Sequence, residues 1–419
     1  MTSQTHLNKL FNTTTYRTLL FLTVILPGLI VWTHRFLVHF KIIHTTNWLE
    51  YFGDFGTLYI TAVNFISNGT VYGHGYAYLA PSVLLLLPLA AFSYENALIF
   101  KTLVDVACYA ITIYLVSKII KSYTNTTISK LQQFILFITT LISYPVAVSF
   151  AAGAVNAQVL VLLTITYYYL FVRKNITTAS IVLSTLTVLK IIPFALVLLN
   201  KKLRIKTTIL VISSCIIAIY FIGIEQHMIW LKYLYVTQEI PAGLPTDFLN
   251  LQTSIINTSI VYSIYKIISY MNYPISIFNA ALILIILKIA IIMYITWFIY
   301  KTYTYNTSNE KDVLYFSLLV LMPLLLSNTV WIYYFPFLYT SIILWVYTFN
   351  LSKQDKIMLF TIVFLLSTHG VIGEIANISG GIIKTFVYIV TPITIASILM
   401  FVFIWNRIKI INNNTIKSD

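Results

Sequence analysis

Long apolar runs separated by short polar turns organise this chain. Continuous runs lie near 18–38, 78–93, 97–120, 132–150, 158–172, 177–199, 207–223, 277–300, 312–330, 333–350, 357–372 and 384–404. Most are long enough to cross a hydrocarbon core of ~30 Å as an α-helix, and those at 132–150, 158–172 and 357–372 are near the short limit. Barrel strands would alternate apolar and polar positions in short segments instead. Only helices and closed barrels satisfy backbone polar groups in lipid. The pattern therefore predicts an all-α polytopic membrane protein with about twelve transmembrane helices, in a range of eleven to thirteen. The first run is too long for a signal-peptide core and no small-residue cleavage site follows it, so it reads as retained. With no internal repeat, long linker or soluble domain, residues 1–419 read as a single integral-membrane domain.

Two polar interruptions stand out. The first, about 41–80, carries Glu50, the stretch Gly53-Asp54-Phe55-Gly56-Thr57-Leu58-Tyr59, then Asn68-Gly69-Thr70-Val71-Tyr72 and Tyr78-Leu79-Ala80-Pro81. From Phe55 to Ile66 its apolar residues recur at helical spacing, which predicts a helix lying in the membrane interface. The second, about 224–276, carries Glu225, His227, Trp230, Glu239, Asp247 and the segment Asn250-Leu251-Gln252-Thr253-Ser254. Its Ile255–Tyr270 portion is amphipathic in the same way.

Composition excludes a soluble reading. The chain is 59% hydrophobic and 9% charged, with mean hydropathy +0.87, against about 25% charged residues in soluble domains. The net charge of +14 sits on Lys and Arg beside the apolar runs rather than on one basic face, so nucleic acid is not an expected partner; the bilayer is. Lys9 and Arg17, the turn holding Lys201, Lys202, Arg204 and Lys206, the turns at 301–311 and 353–356, and the tail with Arg407, Lys409 and Lys417 all suit the cytoplasm. Twelve crossings put these five on one side, with both termini cytoplasmic in the cell (plasma) membrane and the two polar stretches outside. The same count would leave Lys118/Lys121 and Arg173/Lys174 outside, against the rule. Cys108 and Cys215 lie inside apolar runs and read as small hydrophobes.

Only 12 acidic residues exist, so each can be weighed. Glu310, Asp312, Asp355 and Asp419 fall in turns or the tail and read as solvated. Asp105 lies one turn after Lys101 within an apolar run, the spacing of a self-neutralising pair. Lys190 sits within another run, followed by Ile191-Ile192-Pro193, where the proline can break the helix; its ammonium either snorkels or meets a buried anion. Asp54, beside Gly53 at the start of the interfacial helix and near Tyr51, Tyr59, Tyr72, Tyr76 and Tyr78, is placed either as a helix N-terminal acid or as a general base at the lipid boundary. The sequence shows no metal-ligand spacing, no phosphate-binding glycine loop and no nucleophile elbow, so no cofactor or metal is expected. An enzyme of this kind would take a pre-activated donor.

The order of these elements resembles the GT-C superfamily of membrane glycosyltransferases, and within it glycosyltransferase family 87, which uses polyprenyl-phosphate-mannose. The resemblance rests on Asp54 and Tyr59 after the first span, Gly69-Thr70-Val71-Tyr72, Tyr78-x-x-Pro81 and Pro88. It rests also on the turn Gly153-Ala154-Val155-Asn156-Ala157-Gln158, on Lys190-x-x-Pro193 and on Asn250 to Ser254. The family's late Trp–His reads here as Trp331-Ile332-Tyr333-Tyr334, without the histidine. The resemblance implies a GT-C fold and an inverting transfer of a sugar, mannose by default, from a polyprenyl-phosphate donor to an external lipid or glycan acceptor. It implies Asp54 as base and Lys190, with Lys232 or Lys266 as further candidates, on the donor phosphate. Tyr59, Tyr72, Tyr78, Asn156, Gln158, Asn250, Gln252, Trp331 and Tyr334 would contact sugar or acceptor. A flippase or transporter of lipid-linked saccharides, or an O-antigen polymerase or ligase, are the alternative readings. The first would show broken helices at mid-membrane in symmetric positions; the second carries its large external loop late in the chain.

Overall fold

The computed structural model describes residues 13–39, 53–72, 78–229, 231, 277–303, 308–326, 332–379, 387 and 391–416. Among them every regular element is helical. In chain order the helices are α1 (Thr13–His39), α2 (Gly53–Asn68), α3 (Tyr94–Thr124), α4 (Lys130–Ile142), α5 (Tyr144–Ala152), α6 (Asn156–Tyr167), α7 (Ile176–Leu189), α8 (Lys201–Ile222), α9 (Ile277–Thr302), α10 (Asn309–Leu326), α11 (Tyr339–Thr348), α12 (Lys353–Ser379) and α13 (Pro392–Ile416). Among the described residues, α3, α8 and the Pro392–Asn412 part of α13 are long and apolar enough to cross a membrane. The pair α4–α5, bent by 63°, adds a fourth if counted as one span. By length and composition these helices are consistent with a membrane protein.

Local chemistry sets the boundaries. Ser129 and Gln132 form a reciprocal capping box at the start of α4, Asn175 caps α7 and Asn200 caps α8 through the Lys202 and Leu203 amides. Ser129→Ala is expected to cost about 1 kcal/mol, read as a lowered thermal midpoint in detergent. Prolines mark the breaks: Pro81 and Pro88 open short 3₁₀ turns, and Pro193 and Pro336 lie in 3₁₀ segments over Ile192–Leu199 and Ile332–Leu338.

Several runs expected to cross as single helices are broken, and two of them, 78–93 and 177–199, bear on the topology. The 78–93 run is a chain of 3₁₀ and one-turn helical pieces over Ala80–Ala91. It starts near Tyr72, whose hydroxyl donates to the Tyr78 carbonyl (2.8 Å), and ends where the Tyr59 hydroxyl donates to the Phe92 carbonyl (2.9 Å). One end is thus tied to α2 and the other to the residues that follow it. The 177–199 run goes in and returns. Its helical arm α7 rises about 21 Å to Lys190, and the 3₁₀ arm leads back to α8, whose Lys206 donates to Thr177 at the start of α7 (2.7 Å).

These two departures remove the conflict in the charge pattern. Tyr123, at the end of α3, shares a hydrogen bond with Tyr167 at the end of α6 (2.8 Å), and Tyr167 packs edge-on to Phe316 early in α10. Arg407 of α13 binds Glu310 of α10 (2.6 Å) and Asp355 of α12 (3.3 Å). Lys118, Lys121, Arg173 and Lys174 therefore share one end with Lys201–Lys206 and Arg407, the basic end. Glu310 and Asp355 are partnered there rather than merely solvated. Asp312, expected as solvated, is 2% exposed and accepts the Tyr303 hydroxyl (2.7 Å). The tyrosine lies nine residues upstream, across a turn, beyond the reach of local pattern reading.

Candidate functional site

At the opposite end four separate segments meet. Helix α2 presents Asp54 in its first turn, where the helix dipole favours a carboxylate. Phe55, fully buried, packs that turn onto Gly153, which lies between α5 and α6 with φ +69°. A Cβ on Gly153 would enter the van der Waals shell of the Phe55 Cβ and approach its Cα and N to 3.3 Å. Glycine is thus required twice, for its positive φ and for close approach. Gly153→Ala is expected to destabilise by about 2–4 kcal/mol, measured as a fall in the thermal midpoint.

Beyond that glycine, Asn156 opens α6 wholly buried. Its amide nitrogen donates to Ser149 Oγ (3.3 Å) and its Oδ1 accepts from Lys190 Nζ (3.2 Å). Lys190 caps α7 in extended backbone geometry, its own amide bonded to the Leu186 carbonyl (2.8 Å). Its side chain is 8% exposed and does not snorkel to the surface. The ammonium lies 3.4 Å from the Tyr334 ring centroid and 5.3 Å from that of Phe337, two rings stacked at 9°. The Asp54 carboxylate acts electrostatically on both Lys190 and Tyr334. A buried cation is thus held by one amide oxygen, two aromatic faces and a neighbouring anion.

Gln158, two residues along α6 from Asn156 and so on its opposite face, belongs to a second cluster. Its amide donates to Asp105 Oδ1 (2.7 Å), while Lys101 pairs with Asp105 Oδ2 and donates to the Ala154 carbonyl (2.6 Å). The Gly153–Gln158 turn is therefore gripped from both sides, by Lys101–Asp105 and by Lys190.

The remaining expected contacts fall as follows. Tyr59 anchors Phe92 and meets Tyr94 edge-on at 5.3 Å, so its hydroxyl is engaged in holding α3 to α2. The Tyr72 hydroxyl is engaged by the Tyr78 carbonyl. Asn250, Gln252, Trp331, Lys232 and Lys266 lie outside the described residues, as do most of 224–276 and the segment containing His74. Sequence reading passed over Gln226, whose Oε1 accepts the Val71 and Tyr72 amides (3.0 and 3.3 Å) and ties the first polar loop to the end of α8. It also passed over Ser149 and Phe337. Nothing in the local pattern sets Gln226 apart from its neighbours Glu225 and His227; Phe337, one turn after Tyr334, was within reach of a helical-spacing argument.

Chemically, the arrangement offers a proton acceptor at a helix start beside a fixed cation with an aromatic wall. Among the described residues no three His, Cys, Asp or Glu side chains gather at one point. Comparison with protein-family models, with curated proteins and with solved structures finds no match to this chain.

Proposed function

We propose that this protein is a multi-pass membrane glycosyltransferase of GT-C type that moves a sugar, mannose by default, from a polyprenyl-phosphate donor to a lipid or glycan acceptor. The observation that carries the reading is the meeting of Asp54 with the Lys190–Asn156–Tyr334 group at the end opposite the basic turns. The basic end belongs in the cytoplasm by the positive-inside rule, which sets the Asp54 end on the external face of the cell membrane. In the reaction, the acceptor hydroxyl oxygen bonds to the anomeric carbon as the bond from that carbon to the phosphate oxygen breaks. Asp54 takes the hydroxyl proton, and Lys190 offsets the charge on the departing polyprenyl phosphate. A single displacement of this kind inverts the anomeric centre and needs one base, not the carboxylate pair of glycosidases. Tyr334 and Asn156 hold the ammonium in place.

The test is transfer of radiolabel from polyprenyl-phosphate-mannose to a lipid and glycan fraction by the protein in proteoliposomes. A second reading, a carrier of lipid-linked saccharides, draws on the in-and-out segment 176–199 with Lys190 at its tip, since broken helices line substrate sites in transporters. Movement of labelled lipid between leaflets without transfer would favour the carrier; transfer to acceptor would reject it.

A further inference from the structure

A cavity at the other end of the molecule takes no part in the chemistry above. It lies between α1, α4, α11 and α12 and holds about 690 Å³ of empty space, part of it open to the surroundings. Its walls are apolar, with Leu20, Val24, Leu136 and Leu366 among them. On α11 the lining runs from Tyr339 to Tyr347, a length of about 12 Å at the helical rise. That is close to the depth of one leaflet of a ~30 Å hydrocarbon core. The flanking outer faces of α1 and α4 carry exposed Leu22, Leu26, Leu131 and Phe134, a surface suited to lipid.

The two ends of this cavity differ. The inner end is closed by the Tyr339 hydroxyl donating to Ser143 Oγ (2.8 Å). The outer end holds Arg17, whose guanidinium stands 4.2 Å from the Tyr347 ring centroid. Its Nε is buried and has no hydrogen-bond partner among the described residues. A buried guanidinium N–H is costly to leave unbonded, and this one sits at the mouth of an apolar slot. Lys356 flanks the same end, over Tyr16 at 5.9 Å. The acid near it, Asp355, is taken up by Arg407 and by the Ser352 amide and hydroxyl. Net positive charge at the mouth and hydrocarbon along the walls together specify an amphiphile with an anionic head.

The geometry points to a binding site for an anionic phospholipid of the bilayer, its phosphate on Arg17 and one acyl chain between α1 and α11. The site lies at the basic end, away from Asp54 and Lys190, so it is not the donor's seat. It rests on the membrane character of the chain and not on sugar transfer.

The test is native mass spectrometry of the full chain released from nanodiscs holding phosphatidylglycerol and phosphatidylcholine in equal amounts. Wild type is expected to retain one phosphatidylglycerol in preference to phosphatidylcholine. Arg17→Gln is expected to reduce that preference about tenfold, the weight of a lost charge-assisted hydrogen bond, and Arg17→Lys to restore part of it. Val24→Trp, which fills the slot, is expected to lower retention of both lipids. If Val24→Trp does not fold, the preference lost in Arg17→Gln and regained in Arg17→Lys still decides. Equal retention of the two lipids by wild type, or an unchanged preference in Arg17→Gln, would overturn the assignment. Displacement by polyprenyl phosphate at equimolar level would overturn it too, by giving the cavity to a different lipid. None of these readouts depends on transfer activity.

Discussion

Asp54→Asn is expected to lower sugar transfer by about 10²-fold or more. Asparagine has nearly the same shape, can still accept hydrogen bonds at a helix start, and removes only the charge and the capacity to take a proton. The acid is partly exposed in the first turn of α2, so deleting its charge costs the helix no more than about 1 kcal/mol through the dipole. It also removes the anion near buried Lys190, so rates are compared at a temperature well below the variant's own midpoint. The loss should appear in kcat, with the KM for the donor little changed, because the base acts on the acceptor proton and not on the donor phosphate. The assay is initial-rate transfer in proteoliposomes with the two proteins side by side. Equal rates would reduce Asp54 to a helix-terminal acid and counter-charge to Lys190, and the proposed mechanism would have no base.

Lys101→Met is expected to destabilise the protein by about 3–5 kcal/mol. Lys101 is 6% exposed and Asp105 3%, so removing the ammonium strands a buried carboxylate and leaves the Ala154 carbonyl without its donor. The double variant Lys101→Met/Asp105→Asn is expected to recover most of the loss, because no unpaired charge then remains buried and an amide can still bond to Gln158. Thermal midpoints of the single and double variants in one detergent give the comparison. A single variant as stable as wild type would mean that water or lipid reaches the pair. The same cluster grips the turn on which Asn156 sits, so Lys101→Met should also lower transfer through displacement of Lys190. A variant folded well below its melting point with full transfer would separate the two clusters.

Some of the local structure around the candidate site is legible in the sequence, and for identifiable reasons. Asp54 after Gly53 with helical spacing behind it predicted a helix start bearing an acid, and α2 begins there. The Lys190–Pro193 spacing predicted a break, because proline cannot continue the hydrogen-bond ladder, and α7 ends at Leu189. The four-residue interval from Lys101 to Asp105 predicted their pairing. What local pattern could not give was partnership across distance. Asn156 and Gln158 are two residues apart and looked alike, yet one serves Lys190 and the other Asp105. Tyr59, expected as a sugar contact, has its hydroxyl bonded to the Phe92 carbonyl, 33 residues away.

The sequence by itself determined the helical class, the apolar runs that most helices occupy and the break at Lys190–Pro193, because each follows from residues close together: apolar length and proline. Only the tertiary structure decided which breaks reverse the chain. An apolar run such as 78–93 or 177–199 carries the same hydrophobic signal whether it crosses, turns back or lies along one end. That choice depends on contacts such as Tyr59 with Phe92 and Lys206 with Thr177, made by residues far apart in the chain. The tertiary structure also decided that Lys190 points inward, since a lysine in an apolar run snorkels or stays buried according to the partners waiting inside. Here those partners come from three other segments, through Asn156, Tyr334 and Asp54.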